Sequence, residues 1–520
     1  MIAKLKPHRP AGCSEDEIEA LSKIANELFR VLKATQASLA YDTLVLPGPL
    51  LKELSIVIVE FAEDLLNGLG IWESLEGYNH SFFGTPLPFS LPVDCKTAKG
   101  VISRERVHYL LWHKYSEFCE GLLLLPGHRD LDLVVEEVFY FFNSGHIKED
   151  FPKESSVETL MNRPNDYGWD IKRKLLWLGR HSYLFRHSFA AYIEKNGGEQ
   201  EIQVVDDFVC QHSSSWSGLG VPDILADILD ISDDQREELR TWYLRHFAYY
   251  QIESIDGPIL CARNTVCNKE YMIRAGDQSE KFKVGHVYLG GLVPWNGDWY
   301  WSGQQSIFGA LPEDYIEEIS DQFLKERSQI AYRYCDSVLE KARDRIKVHH
   351  QNFVDFHGDD LAVFPDGYAM AAALQKQYRL EYAAHPQEIV EEVMNRHNLK
   401  NPWPTSTYPP ALLNSTTGVG VFFNQDEGQE FMSGFNHILQ GFAKKGVGMT
   451  EDEIEGIRGL IESPAVSPKF VEKLVKIHGA ESIAEAFVFR DCQPMDYLPY
   501  ILRQYKGQYY RIRYPNLSFN

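Results

Sequence analysis

Paired cysteines are missing from this chain. Its eight cysteines (13, 95, 119, 210, 261, 267, 335 and 492) stand scattered, with no C-x-x-C pair. That spacing argues against a disulfide framework or a zinc ribbon and predicts reduced, mostly buried thiols in a cytoplasmic protein. Long hydrophobic runs are missing too. The longest, Leu54 to Phe61, is interrupted by Glu60 and followed by Glu63, far short of the roughly 20 residues of a membrane span. Met1 to Gly12 carries Lys4, Lys6, His8 and Arg9 with no apolar segment behind them, so neither a secretory signal nor a membrane partner is expected. Positive charge is scarce: 52 Lys and Arg against 74 Asp and Glu leave a net charge of −22. Binding to a nucleic acid duplex rests on neutralising its phosphates, so this balance argues against a general nucleic-acid partner.

Catalytic signatures are absent as well. Neither G-x-x-x-x-G-K-[ST] nor G-x-G-x-x-G follows a strand, and Gly418-Val419-Gly420 lacks the third glycine. The segment SWSGLG has no glycine two before Ser217, so it is no nucleophile elbow. His128-Arg129-Asp130 matches the kinase triplet in letters only, without the other kinase elements. No cofactor is implied.

With 44 % hydrophobic and 24 % charged residues, the 520-residue chain has an ordinary globular composition. Its length corresponds to roughly three to four domains of about 150 residues. Residues 1–250 read as helical. Ser14 with Glu17 predicts a capped helix bearing Ile18, Leu21, Ile24, Ala25, Leu28 and Leu32. Further helices are expected at Pro49–Leu69, Arg104–Leu124, Leu131–Asn143, Trp169–Glu194, Asp223–Leu229 and Asp233–Tyr249. Over residues 251–310 the period changes. Ile259–Cys261, Glu270–Arg274, His286–Val293 and Asp298–Trp301 read as strands, and Asn296-Gly297 is a strong type I′ hairpin signal. Four to five short strands suit a small SH3-like or OB-like barrel. Residues 311–520 read as α-rich with minor strands. Helices are expected at Leu311–His350, Gly367–Tyr382, Pro386–Asn398 and Asp426–Phe442, and after Thr450 and Ser467. Strands are expected at Leu361–Phe364 and Gly418–Phe423, and an extended segment over the C-terminal YKGQYYRIRYP. The class is α+β: a mostly helical multidomain protein with a small central barrel.

What is abundant is tryptophan in one place. The stretch KVGHVYLGGLVPWNGDWYWSGQQ packs Trp295, Trp299 and Trp301 into seven positions beside turn-forming glycines. Side chains alternate along a strand, so Trp299 and Trp301 share one face and Tyr300 takes the other. With Tyr288 and Trp295 these indoles are the candidate binding residues, an aromatic platform for a protein or peptide partner. The competing expectation is ordinary packing, the commonest role of aromatic strand residues.

Three other clusters carry titratable or aromatic residues. His349, His350, Asp355, His357, Asp359 and Asp360 place six potential ligands in twelve residues. They motivate an alternative reading as a metal-dependent hydrolase or nuclease, with His349, His350, His357, Asp359 and Asp360 as ligands. Their spacing fits neither H-x-x-x-H nor an EF-hand loop, and a helix C-terminus followed by a turn explains them equally. The segment WLGRHSYLFRH puts Arg180 and His187 on one helix face, with His181 and Arg186 flanking it, a face suited to an anion or to surface ion pairs. Asp206, Asp207, Cys210 and His212 allow a Cys–His–Asp arrangement on paper, conditional on a depressed thiol pKa. At the C-terminus Tyr497, Tyr500, Tyr505, Tyr509, Tyr510 and Tyr514 interleave with Arg503, Lys506, Arg511 and Arg513. That pattern suits single-stranded nucleic acid, or cations paired within an acidic domain. The reading adopted is a non-catalytic protein- or peptide-binding protein acting through its barrel. The sequence specifies no oligomeric state.

Overall fold

Each of the three capping signals starts a helix in the computed structural model of this chain. Ser14 Oγ accepts from Glu17 N at 3.2 Å, Thr450 and Glu453 form a reciprocal capping box, and Ser467 Oγ accepts from Phe470 N at 3.3 Å. The structure describes residues 1–516 other than 42–43, 120–123, 145–146, 384, 397–400, 402, 404–405 and 489–493. Cys492 lies outside them. Two compact units emerge, residues 1–320 and residues 321–520.

The first unit opens with α1 (Glu15–Gln36), α2 (Gly48–Asn67), α3 (Ile71–Phe83), α4 (Arg104–Phe118) and α5 (Arg129–Asn143). It continues with α6 (Gly168–His181), α7 (Arg186–Lys195), α8 (Ile202–Gln211), α9 (Val221–Ile228) and α10 (Asp233–Arg240). Helix α2 is buried on almost every side, and three of its buried residues are Glu60, Glu63 and Asp64. Each carboxylate is answered, as burial of a charge requires. Arg9 Nη1 donates to Glu63 at 2.7 Å, and Arg186 pairs with Glu60. Asp64 accepts from Tyr183 Oη at 2.6 Å and from the backbone of Ile71 and Trp72, capping α3. Burial still pushes the Asp64 carboxyl up to about 6. The helix expected at Trp169–Glu194 is two helices, broken over Ser182–Phe185, and α8 went unpredicted.

The barrel begins earlier than the sequence pattern suggested. The helix expected to reach Tyr249 ends at Arg240, a 3₁₀ turn covers Thr241–Leu244, and β1 runs over His246–Asp256. Its burial alternates through Ala248, Tyr250 and Ile252. The sequence pattern misled here because Leu239, Trp242 and Phe247 also fall near helical spacing. Then come β2 (Ile259–Asn264), β3 (Glu270–Arg274), β4 (His286–Trp295), β5 (Asp298–Trp301) and β6 (Ser306–Ala310). The strand order β1-β2-β3-β5-β4, with β4 pairing back to β1, closes a five-stranded barrel. The β3–β5 pair is parallel, and this closure is the OB-like arrangement of the two expected. Asn296 and Gly297 have φ of 51° and 81°, as a type I′ turn requires. Strand β6 pairs with β4 outside the closed ring, and among the described residues no strand pairs with its other edge.

Helix α11 (Glu313–Ala331) is the first part of the long helix expected at Leu311–His350; the second is α12 (Asp336–His357), and the two are separate. Residues 321–520 contain a three-stranded antiparallel sheet, β7 (Leu361–Phe364), β8 (Val419–Asn424) and β9 (Gly428–Ser433). They also hold α13 (Gly367–Ala383), α14 (Phe435–Ala443), α15 (Glu451–Glu462), α16 (Pro468–His478) and α17 (Pro494–Lys506). Ile346, Phe353, Met370, Leu374, Val419, Val421 and Phe423 belong to one of its core clusters. The helix expected at Asp426–Phe442 is instead strand β9 followed by α14. Gly428 at φ 116° closes the hairpin and Gly434 at φ 71° starts the helix. Residues Gly507–Tyr510 form a 3₁₀ turn where an extended segment was expected. Tyr497 and Tyr500 are buried, the Arg503 guanidinium lies over Tyr510, and Arg513 donates to Glu427, so these cations and rings are engaged within the unit.

Candidate functional site

Register decides where the indoles point. Across the barrel Tyr250 pairs with Tyr288, Ala262 with Tyr271, Ile273 with Trp299 and Leu292 with Trp301. Directly paired residues share a face, and this face carries the buried Tyr250, Ala262, Tyr271 and Ile273. Trp299 and Trp301 therefore share the interior face of the barrel. Trp299 lies 4.7 Å from the His246 ring and 4.8 Å, edge to face, from Tyr271. Tyr271 meets Tyr250 at 5.4 Å, and Tyr250 meets Trp301 at 5.6 Å. The two indoles are thus linked through Tyr271 and Tyr250 in one chain of rings. Gly290 makes room for Trp301, since a β-carbon there would stand 2.9 Å from the indole.

Tyr300, on the opposite face, packs against the helices. It is 4 % exposed, its ring lies 5.3 Å from Trp169, and a β-carbon on Gly168 would meet it at 2.6 Å. Trp295 is fully buried and donates through Nε1 to Asn165 O at 2.7 Å. Both residues fasten the barrel to the start of α6.

Between that fastening and β6 lies a half-open cleft of about 380 Å³. Trp169, Phe282, Tyr288, Tyr300 and Trp301 supply its aromatic wall, and Gln305 and Ile307 continue it along β6. Phe282 and Trp301 are parallel, with centroids 5.9 Å apart and planes at 2°. Tyr288 is 4.9 Å from Phe282, and its Oη accepts from Lys283 N at 3.1 Å. The Trp301 Nε1 is buried without an acceptor. Arg274 at the rim is tied to Asp298, while Lys281 is exposed. Ile307 is 67 % exposed, on a strand whose other edge pairs with no strand among the described residues. The cleft thus brings together Tyr288 and Trp301 of the four predicted binding residues, and Trp295 and Trp299 lie elsewhere. Trp169, Phe282 and Ile307 escaped the sequence reading. The only sequence signal for Phe282 was its position at the head of the tryptophan block, and Trp169 is brought in by the fold alone.

Residues 14–211 match the model of a family described as "Protein of unknown function (DUF3843)". No curated protein and no solved structure matches the chain. The matched segment includes Trp169 and stops before the barrel.

The histidine–aspartate cluster is dispersed among separate partners. His349 Nδ1 stands 3.6 Å from Glu381, and His357 Nε2 lies 3.0 Å from the Gln377 amide oxygen. His350 packs edge-on to Phe423 at 5.5 Å. Asp359 and Asp360 both contact Lys473 at 2.8 Å. Among the described residues no group of three or more His, Cys, Asp or Glu side chains is arranged to hold a metal ion.

Asp206 and Cys210 belong to a buried ion network. Asp206 accepts from Lys172, Arg245 and Ser302, and Asp207 accepts from Arg245. Burial pushes Asp206 up, but Lys172 and Arg245 outweigh it and hold the carboxyl below its usual range. Burial pushes the Cys210 thiol up to about 11. A thiol so perturbed is protonated at neutral pH and is no activated nucleophile. His212 stacks on Phe208 at 4.7 Å.

Proposed function

We propose that this protein is a non-catalytic binding protein whose barrel receives a proline-rich segment of a partner protein in the cleft beside β6. The observation that carries the reading is the aromatic wall of Trp169, Phe282, Tyr288 and Trp301 next to β6, whose outer edge pairs with no strand among the described residues. Proline rings pack well on flat aromatic faces, and a polyproline II segment is already extended, so little conformational entropy is lost on docking. The exposed Ile307 adds apolar contact along the same wall. A cleft of this volume is within the range of specific ligand sites.

Titrating the full chain with a PxxP-type peptide, and with the same peptide carrying Ala for Pro, tests this through tryptophan fluorescence. The peptide with proline is expected to give a saturating change, with roughly tenfold weaker binding for the alanine version, about 1.4 kcal/mol. No response, or equal binding of the two, contradicts the reading.

A further inference from the structure

The break between α6 and α7 gives the segment Trp177–His187 a second use. It turns Arg180, His181, Arg186 and His187 toward one cavity of about 390 Å³, which His8 and Lys114 also line. Phe118 and Phe189 provide an apolar wall. None of these residues lines the barrel cleft.

The polar groups here are incompletely satisfied. Arg186 donates through Nε to Glu53 at 2.7 Å and pairs with Glu60, yet its Nη2 has no acceptor. This guanidinium is only 6 % exposed, and a buried donor left unpaired is costly. Among the described residues no carboxylate pairs with Arg180. Its Nη2 donates to the Gln200 amide oxygen at 2.7 Å and its Nε is buried without an acceptor. His8 Nδ1 is in the same condition. Lys114, fully buried, is answered by Glu117 at 2.7 Å.

Glu53 also lines the cavity and with Glu60 offsets Arg186, while Glu117 offsets Lys114, so Arg180 is the cation among the described lining residues that no carboxylate answers. Burial, then Arg186, bring His8 down to about 4, against an upward pull from Glu53. Burial, then Arg180 and Arg186, bring His181 down to about 4. Both imidazoles are neutral at pH 7, first because they are buried and second because cations face them. A chain of net charge −22 has thus gathered cations with unused donors around one half-open cavity.

We infer that this cavity binds a small phosphate-bearing ligand, whose phosphoryl oxygens accept from Arg186 and Arg180 while an apolar portion lies against Phe118 and Phe189. Guanidinium groups suit this role because their planar forks match oxyanions and stay charged at any physiological pH. A phosphate, with three terminal oxygens, can meet donors arriving from separate helices; a carboxylate has two.

Calorimetric titration of the full chain with phenyl phosphate, inorganic phosphate and benzoate tests the inference. Phenyl phosphate is expected to bind more tightly than either of the others. Arg180→Gln is expected to weaken it about tenfold or more, as loss of a charge-assisted hydrogen bond does, without moving the unfolding midpoint. Arg186→Gln is expected to abolish binding; should that variant fail to fold, Arg180→Gln decides the matter. The His8 and His181 ring signals should shift in NMR spectra when phenyl phosphate is added. Absence of binding, undiminished binding by Arg180→Gln, or unmoved histidine signals would overturn the site. Benzoate binding as tightly as phenyl phosphate would overturn the phosphate assignment.

Discussion

His113 lies stacked on Trp216 at 4.3 Å, 3 % exposed, with Lys114 next to it in sequence. Burial, then the Lys114 charge, bring its pKa down to about 3. In the unfolded chain a histidine titrates near 6.5. Between these values the unfolded state binds the extra proton, so the contribution of neutral His113 to stability is complete above 6.5 and falls as pH drops toward 3. Its loss should approach about 1.4 kcal/mol for each pH unit below 6.5. The stability of His113→Gln, measured by urea unfolding from pH 7 to 5, should therefore depend less on pH than that of the parent. Equal slopes would contradict the burial argument. Asp206 makes the opposite case, a buried charge kept by its partners. Asp206→Asn leaves Arg245 and Lys172 with one less anion and is expected to cost about 3–5 kcal/mol. Thermal or urea unfolding reads that cost, and a change under about 1 kcal/mol would mean the network is solvated.

Close packing of the barrel with its aromatics uses two of the tightly enclosed glycines. Gly290 on β4 admits the Trp301 indole and Gly168 at the start of α6 admits Tyr300. Alanine at either position overfills the space, with an expected cost of about 1–3 kcal/mol. Gly297 is the control. No atom lies near its added β-carbon, so Gly297→Ala pays only for its φ of 81°, about 1 kcal/mol. Chemical denaturation should show both tight positions costing more than Gly297→Ala. The hairpin at Asn296-Gly297 and the alternation of Trp299, Tyr300 and Trp301 were legible because turn chemistry and strand period are local properties. Strand β1 was not legible. Its apolar residues satisfy two periods at once, and only pairing with β2 and β4 selects the strand. Strand β9 was lost for the same reason, its partner β8 being what fixes it.

Across the whole molecule, both candidate sites are made by chain segments distant in sequence. The cleft joins Trp169 to Phe282 and Trp301, and the cavity joins His8 and Lys114 to Arg180 and Arg186. The sequence displayed one side of each: the tryptophan block, and the Arg–His face of WLGRHSYLFRH. It could not display the other side, because long-range proximity comes from packing and not from local pattern. The same limit made the His349–Asp360 cluster look like a ligand set, although its members contact Glu381, Gln377, Phe423 and Lys473 separately. The central claim, peptide capture beside β6, is most directly tested by calorimetry of the PxxP-type peptide against two surface variants. Ile307→Asp alters the cleft wall at a residue that is 67 % exposed, and Val447→Asp alters an equally accessible valine, 78 % exposed, that does not line the cleft. Both should fold as the parent does, since substitutions at such positions seldom exceed about 0.5 kcal/mol. Binding lost in Ile307→Asp and kept in Val447→Asp is the predicted result; peptide binding unchanged in Ile307→Asp would contradict it.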